Sequence, residues 1–207
     1  MNAAETLELI KSRRSTRKYK DTPVEPEKLD QILEAGRYAP SGGNSQTTHF
    51  LVISNKKILA ELAALVMQQF AKMEVTENLY ASIAESIRAS KGGKYIFHYN
   101  APVLILAANR RDYGNNMADS SCALENMMLM ANALDLGSCW INQVHWLTDD
   151  PVICEYLSKL GLSDEECICG GLAVGYPDTE DGLPVRSPLP RKGNPVTLVD
   201  ETFDFNL

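Results

Sequence analysis

SSCALENMMLMANALDLG, residues 120–137, is the stretch that decides the fold. Apolar residues fall on nearly every face of the helix that it predicts over residues 119–136, and Gly137 ends that helix. A helix of this kind must be buried on all sides, so we expect it at the centre of the molecule. Such a helix often packs against its own copy across a symmetry axis, and we therefore expect a homodimer.

The residues on either side of this helix predict a mixture of strands and helices. Short apolar runs rich in β-branched and aromatic residues predict strands at 49–54, 103–108, 138–143 and 166–174. Periodic apolar residues and capping signals predict helices near residues 7–10, 23–36, 58–66, 77–89 and 149–160. Strands that pair over such long separations indicate an α+β fold, with a mixed sheet flanked by helices.

The end of the chain changes character, because five of its ten prolines fall within residues 177–195. Proline without apolar periodicity predicts an extended arm. Residues 196–199 (VTLV) are apolar enough to dock on a surface, where they could form an edge strand. We therefore divide the chain into a domain of residues 1–176 and a proline-rich C-terminal arm of residues 177–207 that packs on the dimer partner.

The composition is that of a globular protein from a reducing compartment. The 207 residues are 44% hydrophobic and 23% charged, with 20 Lys+Arg against 27 Asp+Glu and a net charge of -7. This acidic balance disfavours a nucleic-acid partner, and no apolar run reaches the length of a membrane span. The first residues lack the pattern of a signal peptide, and the five cysteines form no C-x-x-C pair. We expect a cytoplasmic protein with reduced thiols and no metal site.

KSRRSTRKYK, residues 11–20, places six of the twenty cations within ten residues. We call it the cationic segment. Arginine suits planar, bidentate contact with phosphate, and Ser15 adds a hydroxyl group and turn-forming backbone N–H groups. An anion site is one interpretation. The other is a solvated basic surface after a helix C-terminus, where cations complement the helix dipole.

APSGGNSQ, residues 39–46, lies between a predicted helix and a predicted strand, and we call it the glycine loop. Gly42 and Gly43 lack side chains, so a flat ligand or another subunit can approach the backbone closely. Ser41 and Asn44 supply donors and acceptors. The loop has neither the spacing of a phosphate-binding loop nor that of a Rossmann turn, and an ordinary turn is the alternative interpretation.

Taken together, these motifs resemble the nitroreductase family of FMN-dependent NAD(P)H oxidoreductases. The family's R-R-S-x-R signature corresponds to residues 13–17, and its P-S-x-x-N-[SC]-Q loop corresponds to residues 40–46. The resemblance continues through the A-P-V-x-I strand, the central helix, the G-x-C-W-I strand and the G-x-x-x-G-Y-P turn. It therefore covers nearly the whole chain.

The resemblance implies an intertwined homodimer with two FMN molecules at the subunit interface. In this interpretation Arg13, Arg14 and Ser15 lie at the FMN phosphate and ribityl region, and Arg17 reaches the pyrimidine edge of the flavin. Two-electron reduction leaves negative charge near flavin N1 and the C2 carbonyl. Arg17 is therefore the one residue to which we assign a catalytic role, as an electrostatic assistant.

Three further segments are expected to contact FMN by the same resemblance. Asn142 and Gln143, after the G-x-C-W-I strand, contact the flavin through their backbone. Arg191 and Lys192 on the arm close on the phosphate. The other subunit contributes the glycine-loop residues Pro40, Ser41, Gly42 and Asn44.

The function implied is a ping-pong cycle in which NADH or NADPH delivers hydride to the flavin, leaves, and is replaced by a small electron acceptor. Nitroaromatics and quinones are typical acceptors in the family. Two alternatives stay open: a flavin-binding carrier or sensor without NAD(P)H turnover, and a specialised relative such as a reductive dehalogenase.

Overall fold

The computed structural model describes residues 2–199. The helices are α1 (Ala3–Ser12), α2 (Pro26–Arg37), α3 (Lys56–Ala71), α4 (Ala81–Lys91), α5 (Asn116–Ala133), α6 (Gln143–Trp146) and α7 (Pro151–Lys159). The strands are β1 (His49–Ile53), β2 (Val103–Arg110), β3 (Gly137–Ile141) and β4 (Glu166–Gly175). The predicted strands and helices are present with boundaries shifted by a few residues, so the α+β prediction is confirmed. No helix among residues 2–199 combines the length and the apolar character needed to cross a bilayer.

The four strands form one antiparallel sheet in the order β1-β2-β4-β3. β2 lies inside the sheet and is buried at every position except its last, Arg110. Burial on both faces explains why its sequence is a continuous apolar run rather than an alternating one. An isolated parallel bridge joins Ser15 to Ser138 at the free edge of β3, so the pairing is mixed at that edge.

Each face of the sheet carries its own apolar core. α3, α4 and α7 cover one face, where Leu62 and Phe70 are fully buried. α2 and α5 cover the other, where Ile32 and Met127 are fully buried. A Cβ atom added to Gly36 of α2 would collide with the Met127 side chain, so the glycine permits the close approach of these two helices.

The expectation that α5 is buried on every side is wrong for the single chain. Met127 and Ala131 are buried against α2 and the sheet, whereas Cys122 and Glu125 lie exposed on another side. The reason is geometric: a helix that lies on a sheet buries part of its circumference, and the flanking helices do not close over the rest. The homodimer that would cover this strip stays a prediction.

The predicted strand over residues 138–143 is shorter than expected. β3 ends at Ile141, and Asn142 is the N-cap residue of the short helix α6. The Trp140 indole N–H donates to Asn142 Oδ1 at 2.5 Å, and this bond holds the chain in the turn that leaves the sheet. Asn142 and Gln143 therefore lie just beyond the end of β3.

The arm begins on its own chain. Arg14 Nη1 donates to the Ser187 carbonyl oxygen at 2.5 Å, and Arg186 Nη2 donates to the Asn132 carbonyl oxygen and to Asp135 Oδ1, both at 2.6 Å. Residues 196–199 are exposed and form no strand with the described chain, so the expected edge strand is absent within one chain. Packing of the arm on a dimer partner stays a prediction, and residues 200–207 lie outside the described residues.

Candidate functional site

The cationic segment runs beside β3, at one edge of the sheet. The chain becomes extended at Arg13, where φ is -63° and ψ is 127°. The Thr16 N–H donates to the Ser138 carbonyl oxygen at 2.8 Å, next to the Ser15 bridge. Alternate residues of an extended segment point to opposite sides, and Thr16 packs against β3. Arg13, Ser15 and Arg17 all lie near the Cys139 thiol of β3 and therefore share one side of the segment.

The first two arginines of the signature contact other parts of the chain. Arg13 Nε lies 3.7 Å from Glu125 Oε1 on α5, and about half of the Glu125 side chain is exposed. A long ion pair with an exposed partner contributes about 1 kcal/mol or less, so a ligand phosphate can displace Glu125 from Arg13. Arg14 binds the Ser187 carbonyl oxygen, and it therefore ties the arm to the cationic segment.

Arg17 has no carboxylate partner within salt-bridge distance among the described residues. Its Cζ atom lies 5.9 Å from the centre of the Tyr99 ring, within the range of a cation–π contact. Tyr99 and Asn100 have φ values of 56° and 57°, a left-handed conformation uncommon outside glycine. Burial alone would lower the pKa of Arg17, but Cys139, Tyr99 and Tyr19 together raise it, so the guanidinium stays charged.

A cavity of about 450 Å³ opens beside Arg17, and we call it the tyrosine cavity. Its wall includes three tyrosines and three cations: Tyr19, Tyr95, Tyr99, Arg17, Lys18 and Lys94. The segment KYIFHYN, residues 94–100, contributes five of the residues that line this cavity and was not among the predicted site residues. Its density of aromatic and polar residues directly before a buried strand is the signal that could have identified it.

Gln143 is held beside this cavity by a small hydrogen-bond network. Its Nε2 atom donates to the Tyr95 hydroxyl oxygen at 2.7 Å, and that hydroxyl group also lies 3.0 Å from Ser86 Oγ. Gln143 Oε1 is buried and has no hydrogen-bond partner within the described part of the chain. An unpaired buried acceptor is costly, and a water molecule or a ligand donor that reached this atom would satisfy it. Asn142 Oδ1, by contrast, is used by Trp140.

The glycine loop has an unusual backbone. Gly43, Asn44 and Gln46 all have positive φ values, of 59°, 56° and 51°. A non-glycine residue in the left-handed region costs about 1–2 kcal/mol, so other contacts must hold this loop. Within it, the Gln46 N–H donates to Ser41 Oγ at 3.1 Å and the Asn44 N–H donates to the Ser41 carbonyl oxygen at 2.9 Å.

A buried carboxylate on α5 anchors the glycine loop. Asp119 is only 7% exposed, and it accepts from the Gly42 N–H at 3.1 Å and from the Tyr113 hydroxyl group at 2.9 Å. The Ser45 hydroxyl group donates to Tyr113 Oη at 3.1 Å. Sequence reasoning placed Asp119 only at the start of a helix. An acidic residue in the first turn of an otherwise apolar helix is the signal that it overlooked.

The cationic segment and the glycine loop lie at opposite edges of the same sheet. The loop leads into β1 at one edge, whereas Ser15 pairs beside β3 at the other. Four strand spacings separate β1 from the Ser15 segment, which is roughly 19 Å across the sheet. One chain therefore does not bring Pro40, Ser41, Gly42 and Asn44 to the cationic segment.

The two basic residues of the arm stand apart from the rest of the site. Arg191 and Lys192 are exposed, and no described hydrogen bond or ion pair joins either of them to another residue of the chain. The structure therefore brings Arg13, Arg14, Ser15, Arg17 and Gln143 to one edge of the sheet, but not these arm residues.

The fold and this edge define a class: an α+β protein with an antiparallel sheet, a cationic segment pinned to its edge strand, and a ligand cavity beside it. The model of the nitroreductase family matches residues 10–176. The chain belongs to the nitroreductase family.

Solved structures and a curated relative agree with this assignment. A nitroreductase with bound FMN from Bacteroides fragilis is 34% identical, covers 97% of this chain and 100% of its own, and superimposes with a TM-score of 0.82. A nitroreductase with bound FMN from Desulfitobacterium hafniense is 25% identical over 97% and 100% of the two chains, with a TM-score of 0.78. The nitrobenzene nitroreductase of Ectopseudomonas oleovorans is 28% identical over 83% of this chain and 86% of its own.

Proposed function

We propose that the protein is an FMN-dependent NAD(P)H oxidoreductase that reduces nitroaromatics, quinones or similar small acceptors. The observation that carries the proposal is the edge of β3, where residues 2–199 provide neither a carboxylate partner for Arg17 nor a donor for the buried Gln143 Oε1. Family membership supports it, as do the FMN-bound nitroreductases of similar fold and a 24% identical relative named FMN reductase (NADPH) from Bacillus subtilis.

The residues present fit FMN. Arg13 and Ser15 share one side of the extended cationic segment and suit the phosphate and ribityl groups, with Arg14 beside them. Arg17 suits the pyrimidine edge, and Gln143 can contact the ring system from the end of β3. Arg191 and Lys192 are free to close on the phosphate once the arm is in place.

The site is assigned to a homodimer because one chain leaves it incomplete. The glycine loop is a rigid, side-chain-poor surface, yet it lies across the sheet from the cationic segment. A second copy related by a two-fold axis can place its own glycine loop opposite this segment. Pro40, Ser41, Gly42 and Asn44 would then approach the flavin bound by the other subunit.

The chain's own residues provide binding and electrostatics in this mechanism. When bound, FMN supplies the two-electron chemistry that amino-acid side chains lack. Arg17 holds a positive charge where negative charge accumulates on reduction, which favours the reduced state. Tyr99 lies against the Arg17 guanidinium and orients it. We assign no side chain a role as acid or base, because bound FMN would supply the redox chemistry.

We also place the enzyme in the cytoplasm. All five cysteines are free thiols, and free thiols are typical of a reducing compartment. Burial raises the pKa of the Cys139 thiol, which lies beneath the cationic segment. This cysteine therefore stays protonated, and we assign it no role as a nucleophile.

Initial-rate kinetics test the reaction order. With NADH or NADPH varied against several fixed concentrations of 4-nitrobenzamide, we expect parallel double-reciprocal lines, since ping-pong turnover gives that pattern. Intersecting lines would contradict a shared pocket for donor and acceptor. Bound flavin with no oxidation of either nucleotide would favour the carrier or sensor, and turnover only with a halogenated aromatic acceptor would favour the dehalogenase.

A further inference from the structure

Most cations of this chain are paired with carboxylates. Of the 20 lysines and arginines, all of which lie within the described residues, twelve have a carboxylate oxygen within 4.0 Å. Eight have no such partner among the described carboxylates, and three of these eight line the tyrosine cavity: Arg17, Lys18 and Lys94. In a chain with 27 acidic residues, a cluster of unpaired cations at one cavity indicates a binding surface for an anion.

The cavity keeps a net positive charge after its own acid is counted. Asp178 is the one carboxylate residue among those that line it, against three cations. The Asp178 N–H donates to the Lys18 carbonyl oxygen at 3.0 Å, which fixes the two backbones together, but no salt bridge joins their side chains. The balance is therefore two positive charges in excess.

The cavity wall is aromatic and held in place. Tyr95 is fixed by Gln143 and Ser86, and Tyr99 is fixed beneath Arg17 by its left-handed backbone. Lys94 follows Gly93, whose φ of 74° ends the turn after α4. A rigid tyrosine wall suits a flat aromatic ring, and the lysines at its rim suit an anionic substituent on that ring.

We propose that the tyrosine cavity selects aromatic electron acceptors that carry an anionic group such as a carboxylate, with Lys18 and Lys94 as the specificity-determining residues. The inference rests on the proposed function, because it assigns Arg17 to the flavin and thereby leaves the two lysines for the substrate. A flavin pocket does not by itself require an anionic substrate, so this preference goes beyond the proposed function. The net charge of -7 disfavours nucleic acid as the anionic ligand.

The test compares 4-nitrobenzoate with its neutral isostere 4-nitrobenzamide. Binding of each compound to the FMN-saturated protein is measured by calorimetry without NAD(P)H, and kcat/KM is measured with NAD(P)H. We expect the Lys18→Gln/Lys94→Gln variant to lower the benzoate-to-benzamide ratio by about tenfold, both for the binding constant and for kcat/KM. The variant removes two charge interactions at the protein surface, and their effects multiply. The intrinsic reactivities of the two compounds cancel in this ratio.

Lys72→Gln is the matched control, because Lys72 also lacks a carboxylate partner but bonds Gln69 away from the cavity. The benzoate-to-benzamide ratio of this control should equal that of the wild type. In 0.5 M salt the wild-type preference for the benzoate should fall, because the Debye length shortens to about 3–8 Å and screens the charges. An unchanged ratio in the double variant, or a loss confined to KM for NAD(P)H, would overturn the proposal. If the wild type did not turn over NAD(P)H, the proposed function would be wrong, but the anion preference would still be decided. Calorimetry measures the binding of the two compounds without NAD(P)H.

Discussion

Replacing Arg17 by alanine is expected to lower the reduction potential of the bound flavin by about 30 mV. Two unit charges about 4 Å apart near a protein surface interact by about 4 kcal/mol. Arg17 is largely exposed, and solvent screening reduces this to about 1.4 kcal/mol, which equals 30 mV for a two-electron couple. The potential is measured by anaerobic redox titration of the visible flavin spectrum against a reference dye.

Two variants control for this effect. Arg17→Lys keeps the charge and should retain most of the potential. Arg88→Ala removes an exposed arginine that pairs with Glu85 on α4, and its potential should equal that of the wild type. An unchanged potential in Arg17→Ala would remove the electrostatic role of Arg17.

Replacing Asp119 by alanine is expected to destabilise the fold by about 3 kcal/mol and to weaken FMN binding. The substitution leaves the Gly42 N–H and the Tyr113 hydroxyl group without their acceptor, and an unsatisfied buried donor costs about 1–3 kcal/mol. The left-handed residues of the glycine loop then lose their support. Urea denaturation measures the stability, and equilibrium dialysis against FMN measures the affinity.

Asp112→Ala is the matched control, because Asp112 is an acidic residue just before α5 that forms an exposed pair with Arg110. Exposed pairs contribute about 0–1 kcal/mol, so this variant should remain close to the wild type in both assays. If Asp119→Ala lost no more stability than Asp112→Ala, the carboxylate would not anchor the loop.

The fold was predictable from local patterns. The buried run of β2 and the apolar helix α5 are each read from consecutive residues, because a segment buried on most sides is apolar at most of its positions. What α5 does not reveal is how much of its surface one chain covers. That depends on which elements pack beside it, and the exposed strip at Cys122 and Glu125 became visible only with the sheet in place.

The candidate site was predictable only in part, for the same physical reason. The arginines at residues 13–17 are contiguous, so a local motif identifies them. Tyr99 and Lys94 follow α4 in the chain and line the same cavity as Arg17, and Asp119 reaches Gly42 across 77 residues. Such contacts are set by sheet order and helix packing, which no local period encodes.

The most direct measurement of the central claim is an absorbance spectrum of the purified protein before and after anaerobic addition of NADH or NADPH, with the heat-released cofactor identified by mass. The account predicts a yellow protein that releases FMN and whose visible flavin band bleaches with at least one of the nucleotides. A colourless protein that takes up no added FMN would contradict it, as would bound FMN that neither nucleotide bleaches.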